Sequence, residues 1–150
     1  MVNSQSSPDP FQLSRFIGAQ QGIYEQALEE LRCGRKQTHW MWFIFPQIDG
    51  LGSSSMAKRY AIKNLAEARQ YLEHPVLGAR LKTCSAALLA VQEKSISEIL
   101  GFPDDVKLKS SMTLFSCIDE PDSVFGQVLA KYFHGEVDSR TIELAQLGVG

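Results

Sequence analysis

"KQTHWMWFIFPQIDGLGSSS", residues 36–55, holds both tryptophans of a 150-residue chain, two of its eight phenylalanines and one of its three histidines. Trp40, Trp42 and Ile44 alternate with Met41, Phe43 and Phe45, so both faces of the run are apolar and periodicity does not separate a strand from a buried helix. Thr38 is an acceptable N-cap and Pro46 an acceptable stop, which favours one or two helical turns buried on most sides. Such a run is either a central core plug or the wall of a binding site. His39, Trp40 and Gln47 keep the second reading open. Their polar atoms need partners when buried, and a flat ring with a hydrogen-bonding edge suits a planar heterocycle.

Working outward from this run, helix signals dominate both flanks. Asp9-Pro10 places an N-cap before a first-turn proline, and Phe11, Leu13, Phe16, Ile17, Tyr24, Ala27, Leu28 and Leu31 form a helical stripe closing at Gly34, with Gly18 and Gly22 as points where it can break. Asn64 and Glu67 form a capping box for a helix ending at His74-Pro75, and Val76 to Gln92 supplies the next with Leu77, Leu81, Ala87, Leu88 and Val91 inward. Ser95 and Glu98 cap a short turn. Pro103 opens a helix from Asp104 to Phe115 with Leu108, Met112 and Phe115 on one face, Pro121 opens another closing near Gly135, and Asp138 caps a last one carrying Ile142, Leu144 and Leu147. No series of alternating strand patterns divided by turn dipeptides occurs. The expected fold is mainly α: a compact single domain over 11–150 of about six to eight helices around the buried aromatic segment, preceded by a flexible N-terminus over 1–10.

Composition narrows the classes of function. A chain that is 44% hydrophobic can bury one good core. A net charge of −2 and a pI near 5.9 give no global footprint for duplex nucleic acid or anionic lipid. Cys33, Cys84 and Cys117 are odd in number and widely spaced, without a C-x-x-C pair or a Cys/His cluster, so neither a disulfide framework nor a zinc site is suggested. The start lacks a charged segment followed by an apolar one, and no apolar run is long enough to span a bilayer. The expected setting is the cytoplasm, with no membrane partner, no metal and no cofactor.

Two further segments point toward a ligand. Gly50-Leu51-Gly52 leads into Ser53-Ser54-Ser55 and then Lys58-Arg59, a flexible turn feeding a helix start with basic residues one turn inside, which suits an anion. A glycine turn with a serine cap explains the same residues. In "GFPDDVKLKSSMTLF", residues 101–115, Ser110, Ser111 and Thr113 interrupt a helical pattern that their hydroxyls do not favour. Asp104, Lys107 and Ser111 lie at i, i+3 and i+7, giving one face a carboxylate, an ammonium and a hydroxyl. That face is either a surface ion pair or the polar wall of a pocket. The chain has no G-x-S-x-G elbow, Walker loop, H-E-x-x-H or Gly-rich turn after a strand.

The runs "FIGAQQGIYEQALEEL", "GRKQTHWMWFIFPQIDGLGSSSMAKRYAI", "EARQYLEHPVLGARL", "GFPDDVKLKSSMTLF" and "VFGQVLAKYFHGEVDSRTIEL" together cover nearly the whole chain. They resemble a bacterial family, the domain of unknown function numbered eighteen-ten, whose members are often labelled calpastatin. That label carries no weight, because a calpain inhibitor is a disordered chain and this composition builds a core. In outline the chain is also similar to the NADAR superfamily, which is linked to NAD and ADP-ribose metabolism and includes N-glycosidases. The likeness is of architecture, a small helical domain with an early aromatic segment and a later KL-x-SSM helix, and no residue is carried over from it.

That second likeness implies an N-glycosidase or hydrolase acting on an ADP-ribose-type, nucleotide-like ligand. Such chemistry passes through an oxocarbenium-like state and wants a carboxylate near the ribose, an aromatic platform and a cradle for pyrophosphate. Asp104 or Asp49 supplies the first, with His39 the third catalytic candidate. Trp40 or Trp42 supplies the second, and Lys36, Arg59 or Lys107 with the Gly50–Gly52 turn the third. Gln47, Ser53 and Ser111 complete the candidate binding wall. The alternative is a non-enzymatic module that binds a small ligand or a protein through the same residues, and turnover separates the two.

Overall fold

The computed structural model describes residues 8–149, with side chains described through residue 146. Ten helices form among the described residues, and no strand: α1 Ser14–Gln20, α2 Tyr24–Arg32, α3 Met41–Ile44, α4 Ser55–Arg59, α5 Leu65–Glu73, α6 Leu77–Ala90, α7 Ile96–Leu100, α8 Asp104–Ser116, α9 Val124–Phe133 and α10 Ser139–Val149. The fold is mainly α, as the sequence pattern implies. The number of helices exceeds the expected six to eight for two reasons. Gly22, at φ +72°, turns the chain between α1 and α2, and the short α3 and α4 stand as separate helices. No helix among the described residues is long and apolar enough to cross a membrane.

Most ends fall where the caps put them. The Asp9 carboxylate accepts the backbone N–H groups of Leu13 and Ser14 at 2.7 and 3.1 Å, although α1 itself begins only at Ser14. Of the expected loose segment 1–10, residues 1–7 lie outside the described residues. Asn64 Oδ1 accepts Glu67 N–H at 2.9 Å, Ser95 and Glu98 form both halves of a capping box, and Asp138 accepts Thr141 N–H at 3.3 Å. His74 closes α5 and its Nδ1 accepts the N–H groups of Val76 and Leu77, so it is the helix-end residue its place before Pro75 suggests. The side chain of Leu147, expected on the last helix with Ile142 and Leu144, lies outside the described residues.

The aromatic run forms the centre. Trp40, Met41, Phe43, Ile44 and Phe45 are buried together with Phe16, Tyr71, Phe115 and Phe125 in one core, while Trp42 is only half-buried. The run makes a single helical turn because Phe45, before Pro46, takes φ −126° and ψ 73°. From α1, the Gln20 amide donates to the Phe43 carbonyl at 2.7 Å and to the Tyr71 hydroxyl at 3.3 Å, which ties the turn to α5. Against it, α6 packs on α2, α5 and α9, and α8 packs on α5, α7, α9 and α10. The core plug and the half-exposed wall are thus one segment: five side chains face inward and Trp42 faces a cleft.

Candidate functional site

The loop before the aromatic turn is held by one carboxylate. Glu30, on the last turn of α2, accepts the backbone N–H groups of Gln37 and Thr38 at 2.8 and 3.1 Å, the Thr38 hydroxyl at 2.7 Å, the Trp40 indole N–H at 2.9 Å and the Gln26 amide at 3.3 Å. Burial alone raises its carboxyl. The donors of Gln37, Trp40 and Thr38 outweigh burial and hold it at about 2, against an ordinary 4.5. Contrary to the expectation from its position, Thr38 does not cap the aromatic turn; its hydroxyl and N–H are both committed to Glu30. Lys36 N–H donates to the Ile99 carbonyl at 2.8 Å, which pins the loop to α7. Lys36 is thereby fixed in space without belonging to a helix.

The opposite wall is the start of α8. Gly101, at φ +80°, ends α7 and presents Phe102, which is 82% exposed, before Asp104 begins the helix. Asp104 receives an ammonium on each carboxylate oxygen: Lys36 Nζ at 2.8 Å on Oδ2 and Lys107 Nζ at 3.7 Å on Oδ1. Each ammonium also stands over an indole, Lys36 at 5.1 Å from the Trp40 ring centre and Lys107 at 5.4 Å from that of Trp42. Lys36, His39, Trp42, Phe102, Asp104 and Lys107 line a half-open cleft of about 380 Å³. A groove of about 270 Å³ adjoins it, sharing Phe102, Pro103 and Lys107 and running on to Gln47, Gly52 and Ser110. Both volumes are of small-molecule scale.

The candidate residues divide clearly. Lys36, His39, Trp42, Asp104 and Lys107 meet in the cleft, and Gln47 and Gly52 reach the adjoining groove. Trp40 also touches the cleft wall, but it is fully buried and its N–H is committed to Glu30, so Trp42 is the indole with an accessible face. Gly50 borders a void of about 10 Å³ beside Trp42, room for no more than a water. Asp49, Ser53 and Arg59 are exposed and are not among the residues lining the cleft. Ser111 is fully buried on the inner side of α8, and its hydroxyl has no hydrogen-bond partner among the described residues. The cleft thus joins the 36–42 stretch to Asp104 and Lys107 at the start of α8, and Arg59 is not part of its lining.

The glycine–serine turn has its own structural reason. Ser54 Oγ accepts Ala57 N–H at 3.1 Å and caps α4, a helix of five residues. A Cβ on Gly52 would stand 2.6 Å from the Ala57 Cβ, and Gly50 sits at φ +106°. Cap and close approach together account for these residues without an anion. Ser54→Ala should therefore cost about 1 kcal/mol of stability and leave ligand binding in the cleft unchanged, as measured by denaturant midpoint and by titration.

Phe102, Pro103 and Asp138 border the cleft or groove; the sequence marks Pro103 and Asp138 only as helix-end residues and Phe102 not at all. A signal existed for Phe102: it lies between Gly101 and Pro103, off every helical stripe, where an aromatic has no core face to occupy. A larger groove of about 730 Å³ lies between α1 and α5, but its described lining has the carboxylates of Asp9 and Glu73 and no lysine or arginine. No group of three or more His, Cys, Asp or Glu side chains gathers to hold a metal among the described residues.

A family model described as "Protein of unknown function (DUF1810)" matches residues 10–145, a span that contains both walls of the cleft. The crystal structure of the conserved hypothetical protein Rv1873 from Mycobacterium tuberculosis is similar to this chain at a TM-score of 0.90 and 52% sequence identity, covering 92% of this chain and 99% of that one. No curated protein matches. Neither match names an activity, a ligand or the NADAR superfamily.

Proposed function

The chain belongs to the DUF1810 family, and from the chemistry of its cleft we propose that it binds a phosphorylated, nucleotide-like small molecule between the Lys36–Trp42 segment and the start of α8. The observation that carries this reading is the pair of ammoniums, Lys36 and Lys107, held around one carboxylate beside an accessible indole. Two positive groups against one negative leave the cleft a net single positive charge in a protein whose total is −2. That suits an anion, and the Trp42 face with the exposed Phe102 suits a planar base beside it. Lys107 lines both cleft and groove, so a phosphate at that junction leaves room for a group on either side. Two lysines do not make a stripe long enough for duplex nucleic acid. The setting in this proposal is the cytoplasm, where the free thiols of Cys33, Cys84 and Cys117 stay reduced.

Titration of the folded protein with nucleotides tests it. Lys107→Ala should weaken binding by roughly 1 to 3 kcal/mol, whereas Arg59→Ala, outside the cleft lining, should change it little. Equal losses in both variants would move the site away from α8.

A second reading, cleavage of an N-glycosidic bond, is favoured by one observation: Asp104 and His39 line the same cleft. Against it, the Asp104 carboxylate is already shared by two ammoniums, which reduces what it offers to an oxocarbenium-like state. Product analysis after incubation with NAD and ADP-ribose decides between binding and turnover. Release of free base by the natural chain and not by Asp104→Asn would establish the second reading.

A further inference from the structure

We infer that Asp104 occupies the seat of the ligand's anionic group, so that the cleft takes doubly charged phosphate monoesters in preference to singly charged phosphodiesters or carboxylates. This rests on the reading of the cleft as a phosphate site and names the class of phosphate. The carboxylate oxygens are divided between the two lysines, one oxygen to each, as the oxygens of a bound phosphate would be. An anion entering between Lys36 and Lys107 has to displace this internal one. The side chains allow the exchange: Lys36 is 8% exposed and anchored, whereas Asp104 and Lys107 are 19% and 30% exposed and border open cleft.

Charge then decides what enters. A singly charged ligand exchanges one negative charge for another and gains nothing from the two ammoniums. A phosphate monoester carries about −1.5 to −2 at neutral pH and places the excess between the same two groups. His39 adds no negative charge to the cleft, and Asp104 is the carboxylate in its described lining. With the site half-open and screened, the surplus corresponds to roughly a tenfold preference in affinity.

The test is calorimetric titration at pH 8 with adenosine 5′-monophosphate, a dianion, and adenosine 3′,5′-cyclic monophosphate, a monoanion. The proteins are the natural chain, Asp104→Asn and Asp104→Ser, each checked by thermal melting, the serine variant being an alternative should the asparagine one fold poorly. The natural chain should prefer the monophosphate at least roughly tenfold. Removing the internal anion should tighten both ligands by a similar factor, bringing the cyclic diester into the measurable range. Equal affinity of the natural chain for the two nucleotides, or weaker or unchanged binding by the folded variants, overturns it and leaves the phosphate site standing. If no protein binds either nucleotide, the inference and the proposed function fail together.

Discussion

Glu30→Gln should unfold at lower denaturant than the natural chain, by the equivalent of roughly 3 kcal/mol at pH 7. The buried carboxylate of Glu30 accepts the N–H groups of Gln37, Thr38 and Trp40 on one oxygen and the Thr38 hydroxyl and Gln26 amide on the other. An amide in its place loses the charge that strengthens all five bonds and turns an NH₂ group toward the hydroxyl and amide that now donate. The same group predicts how stability follows acid. Its carboxyl is held at about 2 in the folded chain against 4.5 ordinarily, a depression worth roughly 3 kcal/mol. The contribution is complete above pH 4.5 and is lost as pH falls toward 2. The gap between natural and Glu30→Gln chains, measured by denaturant titration, should therefore be widest at neutral pH and shrink below pH 4.5. A gap independent of pH would show that Glu30 works through packing and not through charge.

The second large effect is on binding. Lys36→Gln combined with Lys107→Gln should weaken a nucleoside monophosphate on the order of a hundredfold, because two charge-assisted contacts vanish and Asp104 is left to repel the ligand. Folding should survive. Asp104 keeps access to water, and the loop around position 36 remains pinned through the Lys36 backbone N–H and through Glu30. Titration beside a thermal melt checks both halves. A stable double variant that binds as the natural chain does would remove the lysines from the site.

Much of this architecture is legible in the sequence because it is written in local signals. The caps at Asn64, Ser95 and Asp138 and the stripe of Leu108, Met112 and Phe115 each depend on residues within a turn or two. The site is legible only in part, for a matching reason. Asp104 and Lys107 are visible as an i, i+3 pair on one helix, but Lys36 reaches Asp104 across 68 positions of sequence, a relation no local pattern holds. The pull of Glu30 on Thr38 and Trp40 is equally hidden, so Thr38 reads as a cap and Trp40 as a platform. Arg59 and the Gly50–Ser53 turn mislead in the opposite way. A serine cap and a glycine required by the neighbouring Ala57 carry the same letters as an anion cradle.

The two tryptophans supply the most direct test of the central claim that the cleft beside α8 holds the ligand. Trp40 keeps its indole N–H on Glu30, and Trp42 presents a face to the cleft under Lys107. In a ¹H–¹⁵N spectrum titrated with adenosine 5′-monophosphate, the Trp42 indole and the backbone amides of 36–42 and 101–107 should shift most, while those of 53–59 move little. Shifts concentrated on the groove between α1 and α5, or none at saturating nucleotide, would contradict the account.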